Sequence, residues 1–271
     1  MPELPEVETI VRDLDRLVRG ATIVGVEVLK PDLIEGATAG EFERALAGST
    51  IRGISRRAKN LVFDLGGERL VVNLGMTGRL LVLAPSDPPP SHPGIRFLLA
   101  DGRLLVYHDV RRFGRLEHLT DAEWAERDRA LGYEPLSPDF APEALHELAQ
   151  RSRVAVKTWL MDQRRVVGVG NIYASEALFR AGIDPRRPAL SLTPAEAVRL
   201  HGAIRGVLRE AIEFRGTTLL DYRDASGERG GFAGRLRVYD RRGEPCRVCG
   251  TPIERIVQGG RSSYYCPICQ R

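Results

Sequence analysis

The sequence predicts an α+β protein: a leading amphipathic helix on an antiparallel β-sandwich or flattened barrel, then a helical region, then a cysteine-bearing hairpin. Three observations predict it. Apolar residues recur at helical spacing as far as Val18, give way to short apolar runs between turn residues, and return to helical spacing from 121. Gly66-Gly67 and Asp101-Gly102 separate pairs of those runs, as hairpin turns do. All four cysteines fall between 246 and 269. At 271 residues the chain is long enough for two domains and a real core. The expected parts are 1–120, 121–234 and 235–271.

In the first helix, Val7, Ile10, Val11, Leu14, Leu17 and Val18 form one face. Pro2 and Pro5 sit in its first turn, where no intrahelical N–H is needed, and Gly20 stops it. Strands are expected at Thr22–Leu29, Ile51–Ile54, Leu61–Leu65, Leu70–Leu74, Arg79–Leu83, Ile95–Ala100 and Leu104–His108, with a short helix at Phe42–Leu46. The proline-rich stretch Pro85–Pro93 is a loop, being too poor in donors for sheet. Helices follow at Asp121–Leu131, Pro142–Arg151, Val154–Asp162, Ile172–Ala181 and Pro194–Phe214, the last opened by a capping box from Thr193 to Glu196. Residues 217–235 are polar and glycine-rich and are expected to form a mobile loop.

No apolar run approaches the ~18 residues of a membrane span. The start lacks the basic-then-apolar pattern of a signal peptide. A soluble, cytoplasmic protein is expected. Clustering of the cysteines points to one metal site and away from a disulfide framework. Residues 1–150 hold 18 basic and 24 acidic residues, whereas 151–271 hold 22 and 12. The basic half is the footprint of a polyanion partner, although arginine richness can also reflect nucleotide composition. Only three lysines, Lys30, Lys59 and Lys157, stand against 37 arginines. A lysine kept where arginine is the default cation suggests a task such as proton loss near neutral pH.

The start carries the most chemistry. Removal of Met1 leaves Pro2 with a free secondary amine, and an α-amino group titrates near pKa ~8, so a useful fraction is nucleophilic at neutral pH. Such an amine can attack an electrophilic carbon and collapse to an iminium. At ~100° per residue, Glu3 falls inside the apolar stripe, Glu6 at its edge and Glu8 outside. Acids favour helix N-termini anyway, which suffices for Glu8. Glu3 beside Pro2 is a candidate acid–base.

Cys246-x2-Cys249-x16-Cys266-x2-Cys269 matches a tetrahedral four-cysteine zinc site, which supplies folding energy because every position is filled. Within its hairpin, Arg261 sits at a tip and could clamp a phosphate, or be plain solvated surface. Gly168-Val169-Gly170-Asn171 opens a helix whose N-terminus favours phosphate, though Asn is also a common cap without function. Arg153 and Lys157 are expected one turn apart on one helix face. Asn73–Gly78 and Asp109–Gly114 read as loops. An exposed Met76 and Phe113 beside Arg111 could wedge into a base stack, the alternative being two core side chains.

Taken together, Pro2–Thr9, Arg56-Arg57-Ala58-Lys59, Leu74–Gly78, Arg111–Gly114, Gly168–Glu176 and the four-cysteine hairpin resemble the formamidopyrimidine-DNA glycosylase family over nearly the whole chain. The resemblance implies a β-sandwich, a helix–two-turn–helix domain and a zinc hairpin, with damaged double-stranded DNA in the cleft of a monomer acting at the bacterial nucleoid. It implies that Pro2 attacks the sugar C1′ of an oxidised purine nucleotide, with Glu3 as general acid–base and Lys59 assisting base release and β-elimination. Arg261 and Asn171 would hold the flanking phosphates, and Arg261 is linked with δ-elimination. Met76, Arg111 and Phe113 would fill the gap left by the extruded nucleotide. His92, Arg111, Arg153 and Lys157 would contact DNA, and 217–235 would close over the base.

The chain departs from the family pattern at Ala58, where Gly is frequent, at Gly94, where a second His is common, and at Val110, where Pro is often found. Two rival readings remain at this point: an oxidised-pyrimidine glycosylase of the endonuclease VIII branch, and a zinc-dependent DNA-binding protein without catalysis.

Overall fold

A computed structural model describes residues 2–88, 90–218 and 230–271. The chain divides into two compact units, Met1–Arg129 with Phe214–Gly231, and Ala130–Glu213 with Phe232–Arg271. These boundaries follow spatial contacts and cut the chain at other points than the three-part expectation.

The first unit opens with α1 (Leu4–Val18). Its strands are β1 (Ile23–Val28), β2 (Gly53–Arg57), β3 (Asn60–Asp64), β4 (Glu68–Asn73), β5 (Arg79–Leu83), β6 (Pro93–Leu99), β7 (Leu104–His108) and β8 (Arg115–Thr120), with α2 (Ala39–Leu46) after β1 and α3 (Asp121–Arg129) after β8. They form two antiparallel four-stranded sheets, in the orders β1-β6-β7-β5 and β2-β3-β4-β8. Between them lies one core, in which Val7, Ile10 and Leu14 of α1 meet Phe42, Phe63, Leu70, Phe97 and Tyr107. The expected Ile51–Ile54 strand lies later in the chain, because Ile51 is used to fasten Gly20 and Ala21 through backbone hydrogen bonds. β8 was not among the expected strands: its Arg115-Leu116-Glu117-His118 is mostly charged, and β4 pairing creates it.

The second unit holds α4 (Pro142–Gln150), α5 (Val156–Leu160), α6 (Asn171–Ala181), α7 (Pro194–Glu213) and the hairpin of β9 (Glu254–Gln258) and β10 (Arg261–Tyr265). The capping box of α7 is present: Thr193 N–H donates to Glu196 Oε2 at 2.9 Å and Glu196 N–H to Thr193 Oγ1 at 3.2 Å. α5 is shorter than expected and begins at Val156, so Arg153 precedes it, and the expected shared face of Arg153 and Lys157 does not exist. Of the expected loop 217–235, residues 219–229 lie outside the described residues. Its ends are ordered: Thr217 bridges Gly231, and Phe232–Arg235 is a 3-10 turn. Among the described residues no helix is long and apolar enough to cross a membrane.

Candidate functional site

In the first unit, Pro2 and Glu3 precede α1 and both are buried, Glu3 being 4% exposed. The Glu3 backbone N–H donates to Glu6 Oε2 at 2.8 Å. Glu6 Oε1 accepts the Thr217 N–H at 2.7 Å. Glu6, expected at the edge of the apolar stripe, is therefore wholly inside, at 1% exposure. Its carboxylate fixes the backbone that carries the Pro2 nitrogen against the segment at 217. Gly216 is left-handed, and a Cβ there would come within 2.9 Å of the Glu6 side chain.

Glu8 ties the same helix to the turn bearing Lys59. It accepts Arg56 Nε at 3.1 Å, and Arg56 Nη1 donates to the Ala58 carbonyl at 2.9 Å. Lys59 is half-buried in this β2–β3 turn. Ala58 has φ +56°. Left-handed backbone costs an L-residue about 1–2 kcal/mol, which is why glycine suits this position.

Met76 and Phe113 are 41% and 53% exposed, so the reading of them as core side chains is excluded. Arg111 lies over the Phe113 ring at 4.7 Å, brought there by the left-handed turn at Arg112 (φ +53°). His92 is exposed, with Nδ1 2.8 Å from Ser91 Oγ and its ring edge-on to His108 at 5.7 Å. Burial, then Arg79, lowers the His108 pKa, which keeps that neighbouring ring neutral. At Gly94 a Cβ would meet the Leu33 Cδ1 methyl at 2.3 Å, so a side chain there requires Leu33 to shift.

In the second unit, Lys157 is 2% exposed. Its Nζ donates to Asn171 Oδ1 at 2.6 Å, to the Ser262 carbonyl at 2.8 Å and to Ser263 Oγ at 2.8 Å. Gly170 is the N-cap of α6, so Asn171 is not a capping side chain. Its Nδ2 instead donates to the Tyr239 hydroxyl at 3.4 Å. Arg261 is exposed at the start of β10, after the left-handed pair Gly259-Gly260. The hairpin carrying it is fastened by Lys157 and by Gln258 Nε2 on the Pro185 carbonyl at 3.1 Å. Arg153 is exposed and is not part of this network.

Sequence reasoning assigned no role to Glu176 or Tyr239. Glu176 is 0% exposed and its Oε1 accepts the N–H groups of Arg237, Val238 and Tyr239 at 3.0, 2.9 and 2.9 Å, which places Tyr239. An acid among the apolar residues of α6 was the signal available for it.

The ligating sulfur atoms of Cys246, Cys249, Cys266 and Cys269 lie within 4.8 Å of one another. A tetrahedral zinc with Zn–S bonds of ~2.3 Å needs S···S separations of about 3.8 Å. Cys246–Cys269 and Cys249–Cys266 stand at 3.9 and 3.4 Å. The backbone N–H groups of Val248 and Cys269 point at Cys246 and Cys266 Sγ, which stabilises thiolates. The donor set and spacing fit one structural zinc ion.

Family models match three consecutive regions: a formamidopyrimidine-DNA glycosylase N-terminal domain over 1–116, the H2TH domain of the same enzymes over 131–222, and a zinc finger found in FPG and IleRS over 243–271. A formamidopyrimidine-DNA glycosylase of Pelotomaculum thermopropionicum is 46% identical over all of this chain and 99% of its own length. One from Escherichia coli is 43% identical with both chains fully covered. Among solved structures, the MutM (FPG) protein of Thermus thermophilus is 44% identical with TM-score 0.89, covering 99% of this chain and 98% of that one. A Lactococcus lactis FPG mutant in complex with a Fapy-dG containing DNA superposes at TM-score 0.93 with 34% identity, covering 100% of both chains.

Proposed function

The chain belongs to the formamidopyrimidine-DNA glycosylase family, and from that premise we propose that it is a base-excision repair enzyme that removes oxidised purines from double-stranded DNA and then cleaves the strand as an AP lyase. The observation that carries the chemistry is the buried Pro2–Glu3 pair, its backbone fixed by Glu6. A base cannot be excised from inside the stack, so the damaged nucleotide must be everted, at a cost of a few kcal/mol. Met76, Arg111 and Phe113 are exposed and clustered, and suit the vacated space.

Once Met1 is removed, the Pro2 nitrogen gives its electron pair to C1′ and the base leaves with the glycosidic pair, taking up the proton that the attacking amine gives up. Glu3 protonates the ring oxygen as the sugar opens, leaving an iminium. The iminium acidifies the C2′ hydrogen, whose loss expels the 3′ phosphate and cuts the strand. Lys59 assists at the nucleotide, and holding amine and acid in place lowers the barrier through positioning. In the second unit Asn171, Tyr239 and Arg261 present donors to phosphates, with Lys157 holding Asn171 and the hairpin in place. Zinc supplies the folding energy of that hairpin. His92 and Arg153 are exposed polar side chains suited to the DNA backbone. We take the enzyme to act as a monomer in the bacterial cytoplasm.

Borohydride reduction on duplex 8-oxoguanine DNA tests this. The trapped adduct should map by mass spectrometry to the peptide beginning at Pro2, and protein retaining Met1 should give none. An adduct on Lys59, or none with fully processed protein, overturns the mechanism.

A further inference from the structure

We propose that Asp109 is a positioning residue whose buried carboxylate locks the loop of Met76 to the loop of Arg111 and Phe113, so that the gap-filling side chains enter the duplex as one body. The inference rests on the glycosylase reading and deepens it.

The topology sets the stage. β4 and β8 are neighbours in one sheet, β7 and β5 in the other. The connections β4–β5 and β7–β8 are therefore the two crossings from sheet to sheet at the same edge, and they run side by side. Glycines stand where their backbones meet. A Cβ on Gly75 would lie 2.5 Å from Gly114 N, and one on Gly114 would lie 1.6 Å from the Tyr107 hydroxyl. The loop backbones meet directly at Gly75, and the Tyr107 hydroxyl fills the space beside Gly114.

Asp109 joins what the glycines bring together. It is 4% exposed. Its Oδ1 accepts Thr77 Oγ1 at 2.5 Å, from the Met76 loop, and Arg111 N–H at 3.2 Å. Its Oδ2 accepts Gly114 N–H at 2.9 Å and the Tyr107 hydroxyl at 3.3 Å. Thr77 Oγ1 also accepts Arg111 N–H at 3.1 Å, closing the link between loops. The Asp109 backbone N–H bonds the His92 carbonyl at 3.3 Å. One carboxylate thus reaches both crossings, the same residue's backbone fastens the segment that carries His92, and no exposed surface of its own competes for DNA. Wedging residues on separately ordered loops would lose conformational freedom on insertion; held together beforehand, they do not.

The test compares Thr77→Val, which removes the linking hydroxyl, Thr77→Ser, which restores it, and Asp109→Asn, whose single acceptor oxygen cannot occupy the positions facing Arg111 and Gly114 at once. Each is assayed by single-turnover release of 8-oxoguanine from duplex, and by cleavage of a single-stranded abasic oligonucleotide, where no gap needs filling. 2-Aminopurine beside the lesion reports unstacking. Thr77→Val and Asp109→Asn should lower duplex excision by about 10- to 100-fold. They should also delay the fluorescence rise and leave single-strand cleavage at the unaltered protein's rate, with Thr77→Ser close to unaltered. Equal losses on both substrates, or full duplex excision in Thr77→Val, overturns the proposal. Unaltered protein inert on both substrates overturns the glycosylase reading instead.

Discussion

Glu176 gives the sharpest stability prediction in the second unit. Its Oε1 accepts three backbone N–H groups, from Arg237, Val238 and Tyr239, while Oε2 takes only a second contact from Arg237 at 3.0 Å. In Glu176→Gln the carbonyl oxygen can take the Oε1 place and keep the three donors. What is lost is charge assistance, worth roughly 1 kcal/mol per bond and not additive, so the cost should be about 1–3 kcal/mol. Glu176→Ala removes the acceptor altogether and leaves N–H groups stranded beside Val238, which is 0% exposed. That cost should be about 4–6 kcal/mol. Trp159 is buried in the same unit and Trp124 lies on α3 of the other. In a Trp124→Phe background, urea unfolding followed by fluorescence therefore reports the second unit alone, with zinc kept bound. The order should be unaltered, then Gln, then Ala, and DNA affinity should fall in the same order because Tyr239 is displaced from Asn171. A Gln variant as unstable as Ala, or an Ala variant at the unaltered midpoint, refutes the reasoning.

Glu3→Gln should abolish measurable base release while lesion binding stays within about threefold, as loss of an acid that acts only in the transition state requires; unchanged single-turnover excision contradicts it. Arg187, with help from Thr193, holds the Glu196 carboxyl at about 2, below its ordinary 4.5. The unfolded chain then binds the extra proton, so this stabilisation is complete above pH 4.5 and is lost as pH falls toward 2. After discounting for solvent screening it is worth about 1–2 kcal/mol, and Glu196→Gln should flatten the acid limb of the stability curve. Chelation of zinc should release the hairpin from Lys157 and weaken DNA binding; affinity unchanged after verified metal loss speaks against it. Ala58→Gly should move stability by less than about 1 kcal/mol, because relief of left-handed strain is offset by a buried methyl and by backbone entropy; a calorimetric shift well beyond that means the turn at Lys59 has rearranged.

What the sequence revealed of the fold depends on range. α1, β5 and α7 were legible because their signals are local: a 3.6-residue stripe, an apolar run closed by turns, a capping box. β8 was not, since Arg115, Glu117 and His118 give no strand pattern, and its pairing with β4 comes from forty or more residues upstream in the chain. α5 was overextended because Val154 continues the apolar spacing, while Val154 is in fact 44% exposed. The edge of the first unit at 214–231 depends on Thr217 bonding to Glu6, a partner no local pattern can name.

The site divides along a different line. Groups that do chemistry or bind metal are legible because residue type and spacing follow from the reaction: an amine beside an acid, four thiolates at zinc spacing. Groups that hold those in place are ordinary acids and hydroxyls whose meaning is a distant partner. Glu6 at Glu3 and Thr217, Glu176 at 237–239 and Asp109 at two loops share one design. In each, a nearly dehydrated carboxylate accepts backbone N–H groups and so ties together segments far apart in sequence. Such an acceptor is strong because it is charged and specific because its oxygen positions are fixed. Replacing it by a neutral isostere should therefore loosen geometry more than it removes stability, which is what separates these carboxylates from surface ion pairs such as Arg12–Glu8, worth well under about 1 kcal/mol.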